Sequence, residues 1–256
     1  MEIQSNRFKR AILRGELQIG LWCTLASNIA AEIVSDSGYD WLLIDTEHSP
    51  NEIPDLLQHL QAVQGGTASA VVRVAWNDAV LIKRALDIGG QTILVPYVQN
   101  AEEATRAVAA TRYPPSGIRG VTGSGRASRY GRVKDYLQKA NDEIGVIVQV
   151  ETREALDQIE AIAAVPGVDG VFVGPSDLSA SFGVIGKPLS PEVQDAIEKA
   201  GKRIRAAGKS AGILAGGEAD ARRYMGWGYN FVAAGVDTVL LARAADELLA
   251  RFKNGN

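Results

Sequence analysis

The segment Asp45-Thr46-Glu47-His48-Ser49-Pro50 puts an imidazole within three residues of two carboxylates. An acid close to a histidine fixes its tautomer and raises its basicity, which makes His48 a candidate general base with Asp45 as the preferred partner over Glu47. The other histidine, His59, is expected on the polar face of a helix, opposite Leu56 and Leu60, without a chemical role. Arg73 follows Val71 and Val72, and a cation among β-branched residues is costly to bury unless an anion meets it. That anion is read as a substrate carboxylate gripped bidentately, in preference to a structural partner such as Glu47. Glu151 follows Gln149-Val150, and Asp177 follows Gly174-Pro175-Ser176. Two carboxylates on neighbouring strand ends can hold a hard divalent cation and leave positions for water and substrate, although both places also suit helix N-capping.

The lysines narrow the chemistry further. A barrel enzyme that forms a Schiff base needs a lysine on or just beyond an inner strand. Of nine lysines, Lys9, Lys83, Lys134, Lys139, Lys199 and Lys202 are expected on helices; Lys209 precedes a strand and Lys253 lies in the tail. Only Lys187 could approach the site, so a metal is the expected electrophile and no Schiff-base lysine or nucleotide is expected.

These residues need elements that bring them together. Short apolar runs at Gln18–Leu25, Trp41–Asp45, Ala70–Val74, Thr92–Val95, Gly145–Val150, Gly170–Val173, Ser210–Leu214 and Phe231–Gly235 read as strands. Amphipathic stretches separate them, as in Ile53, Leu56, Leu57, Leu60 and Val63. Eight strands each followed by a helix over 256 residues suit one (β/α)8 TIM barrel of α/β class, which commonly needs roughly 250 residues. An extra N-terminal helix, Arg7–Arg14, is expected to close the barrel floor, and no domain boundary interrupts residues 1–256. A doubly wound sheet fits less well, since no dinucleotide glycine fingerprint is present. Ser49 and Glu52 have capping-box spacing, with Pro50 in the first turn of the next helix. In such barrels chemistry sits on the loops after the strands, and Asp45, His48, Arg73, Glu151 and Asp177 all fall there.

Composition excludes other classes. With 46% hydrophobic residues and a net charge of −3 the chain is neither disordered nor nucleic-acid-binding, and one cysteine cannot form a disulfide framework. Neither a signal peptide nor a membrane-spanning run is present in the sequence, so a cytoplasmic protein acting on a small molecule is expected. Trp22 and Leu214 fall near the barrel mouth and could shape a pocket, while Cys23 is placed in the barrel interior. The loop Gly117–Arg126 could cradle a phosphate, but a lid or a subunit contact is preferred. Gly216, Gly217 and Gly235 occupy positions where some barrels bind phosphate, which keeps a phosphate-binding isomerase or synthase open as an alternative. A non-enzymatic assembly protein is disfavoured by the five intact polar residues.

The chain resembles the metal-dependent pyruvate aldolases of the HpcH/HpaI family over nearly its whole length. The likeness is densest in Gln18–Trp22, Trp41–Asp45, Glu47-His48, Leu94–Pro96, Arg112–Pro115, Gly117–Val121, Gln149–Thr152, Gly174–Ser179 and Gly235–Asp237. It implies reversible cleavage of a 4-hydroxy-2-oxo acid into pyruvate and an aldehyde, with a related 2-dehydro-3-deoxyglucarate or other 2-keto-3-deoxy sugar-acid aldolase as the alternative. It also implies a divalent ion (Mg2+, Mn2+ or Co2+) on Glu151 and Asp177, a His48–Asp45 dyad and a substrate-binding Arg73. Gln149, Ser176, Asp177, Trp22 and Leu214 join Arg73 as expected substrate contacts. The same resemblance implies a homohexamer in which the last helix is exchanged between paired subunits and Asp87 reaches a neighbour's site. Thr46, the shortened Thr122–Gly125 stretch and Ala215–Glu218 depart from the family pattern, which bears on the aldehyde rather than on the core chemistry.

Overall fold

The computed structural model describes residues 1–253. In chain order its elements are α1 (Arg7–Leu13), β1 (Gln18–Cys23), α2 (Asn28–Ser35), β2 (Trp41–Asp45), α3 (Ile53–Gln64), β3 (Ser69–Arg73), α4 (Ala79–Asp87) and β4 (Thr92–Val95). There follow α5 (Ala101–Thr111), α6 (Tyr136–Glu143), β5 (Gly145–Val150), α7 (Arg153–Asp157), α8 (Ile159–Ala163), β6 (Gly170–Val173) and α9 (Pro175–Ser181). The chain continues through α10 (Pro191–Ala206), β7 (Ser210–Leu214), α11 (Glu218–Gly226), β8 (Phe231–Val236) and α12 (Asp237–Lys253). The strands close in sequence order into one parallel barrel, β1 pairing with both β2 and β8. This is the (β/α)8 barrel the alternation predicts.

Side chains on a strand alternate between faces. Trp41, Leu43 and Asp45 of β2 therefore point inward, while Leu42 and Ile44 face the helices. The lower interior is aromatic: Phe231 lies 6.2 Å from Trp41 and 6.1 Å from Phe172, between ring centroids. Two glycines make room for these rings, because a Cβ on Gly20 would stand 2.2 Å from Trp41 and one on Gly212 2.0 Å from Phe231. Helix α1 plugs the floor by setting Phe8 against Trp41 (5.5 Å) and Phe231 (5.8 Å); burial of such a side chain is worth about 1.5–3 kcal/mol. The apolar layers end below the rim, and the next inward positions are Asp45 and Arg73, direct register partners, and Gln149.

Several expectations are corrected here. Cys23 packs with Leu21, Ala31, Leu42 and Val63 in the helical layer rather than the barrel interior, as alternation with inward Trp22 requires; burial pushes its thiol up to about 12. Strand β1 stops at Cys23 instead of Leu25, because the Asp237 carboxylate takes the backbone N–H groups of Thr24 (2.9 Å) and Leu25 (3.2 Å). Strand β3 starts and ends one residue before the expected span. Helix α3 begins at Ile53, with a capping box between Glu52 and Asp55, and not at Pro50. Ser49 is drawn back instead, its hydroxyl donating to the Asp45 carbonyl. His59 is buried, its Nδ1–H donating to the Asp55 carbonyl at 2.7 Å, so its ring lies on the inner side of α3. Lys134 sits in the turn before α6 rather than on a helix.

Helix α12 differs from the others in what it leaves uncovered. Asp237 is its single buried residue, while Leu240, Leu241, Leu248, Leu249 and Phe252 are exposed.

Candidate active site

Arg73, on the last residue of β3, is buried and meets two carboxylates. Its Nε donates to Asp45 Oδ1 at 2.8 Å and its Nη2 to Asp45 Oδ2 at 2.5 Å. Glu47 Oε2 lies 2.7 Å from Nη1 as an ion pair without hydrogen-bond alignment. The guanidinium also stacks 4.8 Å from the Trp22 ring, whose Nε1–H donates to Asp45 Oδ2 at 3.1 Å. Trp22 thus supports the Asp45–Arg73 pair from inside the barrel. A guanidinium has five N–H donors; Asp45 takes two of them, Glu47 pairs with Nη1 by charge, and the other N–H groups on the terminal nitrogens have no hydrogen-bond partner among the described residues. Burial raises the Asp45 carboxyl, but the hydrogen bonds and charge of Arg73 outweigh it and hold Asp45 below the ordinary carboxylate range.

The structure separates the expected Asp45–His48 ring pair. Asp45 Oδ1 accepts from the backbone N–H of Glu47 (3.0 Å) and of His48 (3.4 Å), so it shapes the turn that carries the histidine. The His48 ring stands at the rim with its side chain 65% exposed, and Nε2 is 4.0 Å from Glu47 Oε1. Glu47, set second to Asp45 in sequence, is therefore the carboxylate nearest the imidazole. Its own carboxyl is raised by burial and by Asp45 and Asp177, against the pull of Arg73 and His48.

Glu151, one residue beyond β5, is buried. Oε1 accepts from the backbone N–H of Tyr97 at 2.9 Å and Oε2 from Gln149 Nε2 at 2.5 Å. Burial, with the nearby charges of Asp177 and Glu47, pushes this carboxyl up to about 7 despite those two hydrogen bonds. Asp177 and Ser176 lie exposed in the first turn of α9, which Pro175 starts immediately after β6. Leu214 closes β7 and packs against the interior aromatic layer. Tyr97 was invisible to sequence reasoning because it contributes a backbone N–H, which no side-chain pattern announces.

The donor set fits a divalent cation. Arg73 pairs with Asp45 and Glu47, while Glu151, raised chiefly by burial and further by the charges of Asp177 and Glu47, has no cationic partner among the described residues. Gln149 Oε1 is buried without a hydrogen-bond partner. A Cβ on Gly174 would lie 2.4 Å from Glu151 Oε2, so the backbone there approaches the carboxylate as closely as hydrogen alone allows. No cluster of three His, Cys, Asp or Glu among the described residues is arranged to hold an ion. A cation here would therefore rest on two carboxylates and complete its shell with water and substrate.

Asp87 lies elsewhere. It ends α4, away from the strand C-termini, and accepts from the buried Arg119 Nη2 at 2.8 Å. The loop Gly117–Arg126 runs over the same end, where Arg126 donates to the Ile88 carbonyl (2.7 Å) and to Gln64 (3.0 Å). It does not cover its own rim. A cavity of about 190 Å³ lined by Asn6, Gln64, Gly90, Arg126 and Tyr130 also lies at that end and contains none of the rim acids.

Acids, an imidazole and an arginine thus gather at the C-terminal mouth of a parallel barrel, the end at which such folds carry their chemistry. A sequence profile of the HpcH/HpaI aldolase/citrate lyase family matches residues 18–244, and the chain belongs to that family, as a lyase of the aldolase type. It is 56% identical over 252 residues to a 4-hydroxy-2-oxo-heptane-1,7-dioate aldolase of Shigella flexneri, covering 98% of this chain and 94% of that one. The corresponding Shigella sonnei protein is 57% identical over 248 residues, covering 96% and 95%. A solved HpcH/HpaI aldolase/citrate lyase family structure from Burkholderia cenocepacia superposes with a TM-score of 0.95 at 41% identity, covering 97% of this chain and all of that one. No helix of the described residues is long and apolar enough to cross a membrane.

Proposed function

We propose that residues 1–256 form a one-domain, divalent-cation-dependent aldolase that reversibly cleaves 4-hydroxy-2-oxo acids into pyruvate and an aldehyde. The substrate is expected to resemble 4-hydroxy-2-oxo-heptane-1,7-dioate, after the relatives' names. The observation that carries this reading is the buried Glu151 carboxylate, held by Gln149 and the Tyr97 backbone N–H without a cationic partner among the described residues, on the same rim as Arg73. Glu151 and Asp177 would hold Mg2+, Mn2+ or Co2+. Such an ion would supply Lewis acidity for stabilising an enolate.

The chain's own residues account for the rest. Free N–H groups on the terminal nitrogens of Arg73 meet the carboxylate and the developing enolate oxygen. Gln149 fixes Glu151, and the backbone N–H groups at Ser176 and Asp177 bind the pyruvate carboxylate. His48 takes the proton of the C4 hydroxyl; the C3–C4 bond then breaks, its electron pair passes into the enolate, and C4 leaves as the aldehyde carbonyl. Return of a proton to C3 completes pyruvate. Trp22 and Leu214 bound the pocket from the barrel side.

A homohexamer is part of the same proposal. The exposed leucines of α12 and the exposed Ile118, Val121 and Tyr130 support subunit contacts, with Asp87 carried toward a neighbour's rim. A retro-aldol assay on 4-hydroxy-2-oxo acids, run with and without chelator, tests the chemistry. Pyruvate release should stop on chelation and return with Mn2+; full turnover by a verified metal-free sample would sink the metal role. Including 2-dehydro-3-deoxyglucarate in the panel separates the two substrate classes.

A further inference from the structure

Tyr97 follows β4 by two residues and has φ +55°, the left-handed region that a bulky aromatic residue rarely enters. That conformation aims its backbone N–H at Glu151 Oε1, 2.9 Å away. The next two residues clamp onto the same strand end. Val98 N–H donates to the Gln149 carbonyl at 2.9 Å, and Gln99 Oε1 accepts from Thr152 Oγ1 at 2.5 Å. Gln99 Nε2 returns to the Tyr97 carbonyl at 3.2 Å. The Tyr97 ring, meanwhile, stacks on Trp76 with centroids 5.7 Å apart and planes at 26°. Both rings are substantially exposed, at 42% and 53%, so core packing does not explain their pairing. Trp76 lies three residues beyond Arg73, and the stack thus bridges the rim loops after β3 and β4.

We propose that the Trp76–Tyr97 stack is a positioning device that holds the strained Tyr97 backbone with its N–H on Glu151, and so sets the orientation in which that carboxylate accepts a cation. Aromatic stacking and a single left-handed residue are of comparable energetic size. The ring contact is therefore sufficient to keep the peptide turned. Donors to a metal-binding carboxylate act on affinity without touching the ion, and their loss weakens binding roughly 10–100-fold. Tyr97 and Trp76 are positioning residues in this sense; neither meets the reacting atoms.

The inference rests on Glu151 as a cation ligand, so its test includes that residue. Mn2+ binding to the full-length protein without substrate is followed by the electron paramagnetic resonance signal of the free ion. Circular dichroism checks the fold of each variant. In the parent chain Glu151→Gln should abolish tight binding. Trp76→Ala should raise the dissociation constant roughly 10–100-fold, and Trp76→Phe, which keeps a stacking ring, should restore most of the loss. Tyr97→Gly removes the left-handed strain together with the ring, and in that background Trp76→Ala should cause no further loss. A folded Trp76→Ala that binds Mn2+ like the parent, or a Trp76→Phe as weak as the alanine variant, overturns the positioning role while leaving Glu151 as a ligand. Parent-like binding by Glu151→Gln overturns the ligand assignment and the inference with it.

Discussion

Arg73 shows how one residue can be both structural and chemical. Two carboxylates anchor it before substrate arrives, which offsets the cost of burying its charge and leaves other N–H groups unused. The pair also ties stability to acidity. Asp45 titrates lower in the folded protein than in the unfolded chain, so its contribution is fully present above the unfolded value of about 3.9 and is lost as pH falls through the folded one. Urea midpoints measured on descending pH should fall below about pH 4 in the parent, and Asp45→Asn should lose that part of the slope. His48 makes the opposite prediction, since its exposed ring carries little of the fold. His48→Ala is expected to lower the retro-aldol turnover roughly 10²–10⁴-fold, as loss of a general base does, with Mn2+ affinity and urea midpoint unchanged. Unchanged turnover would discredit the imidazole as the base.

Strand ends do the positioning, and one backbone gap shows how tightly. Gly174, between β6 and α9, has a conformation open to any residue, so space alone selects glycine there. Gly174→Ala should push the Glu151 carboxylate aside and weaken Mn2+ binding roughly 10–100-fold without unfolding the barrel, a result calorimetric titration would register. The strands themselves were legible: five of the eight begin and end where the apolar runs do, because a strand covered on both faces writes itself as uninterrupted β-branched sequence. Residue type and strand-end placement also brought Asp45, Arg73 and Glu151 to one rim. The pairings were not legible. Asp45 and Glu47 are two residues apart in one turn, and which of them meets the imidazole depends on how Ser49 and Asn51 fold back onto the Asp45 carbonyl. The Cys23 and His59 placements failed for a simpler reason, since a shift of one residue on a strand or a helix changes the face presented. A backbone donor such as Tyr97 leaves no mark in sequence at all.

At the scale of the whole molecule the barrel is closed and its last helix is not. Leu240, Leu241, Leu248 and Leu249 leave α12 with an uncovered apolar face, of the kind that marks a contact between chains. Replacing Leu241 and Leu248 by aspartate should shift the sedimentation coefficient from that of the proposed hexamer to smaller species; an unaltered coefficient would remove α12 from the interface. The helix is also wired to the rim at its root. Asp237, its first residue, holds the backbone of Thr24 and Leu25 and the Thr24 hydroxyl (3.0 Å), starting two residues beyond Trp22. In the proposed hexamer, a neighbour gripping the far end of α12 would pull on the segment beside the guanidinium's aromatic support. Quaternary state would then be a mechanical input to substrate affinity: on dilution, KM for the oxo acid should climb while the circular dichroism spectrum is still that of the folded barrel.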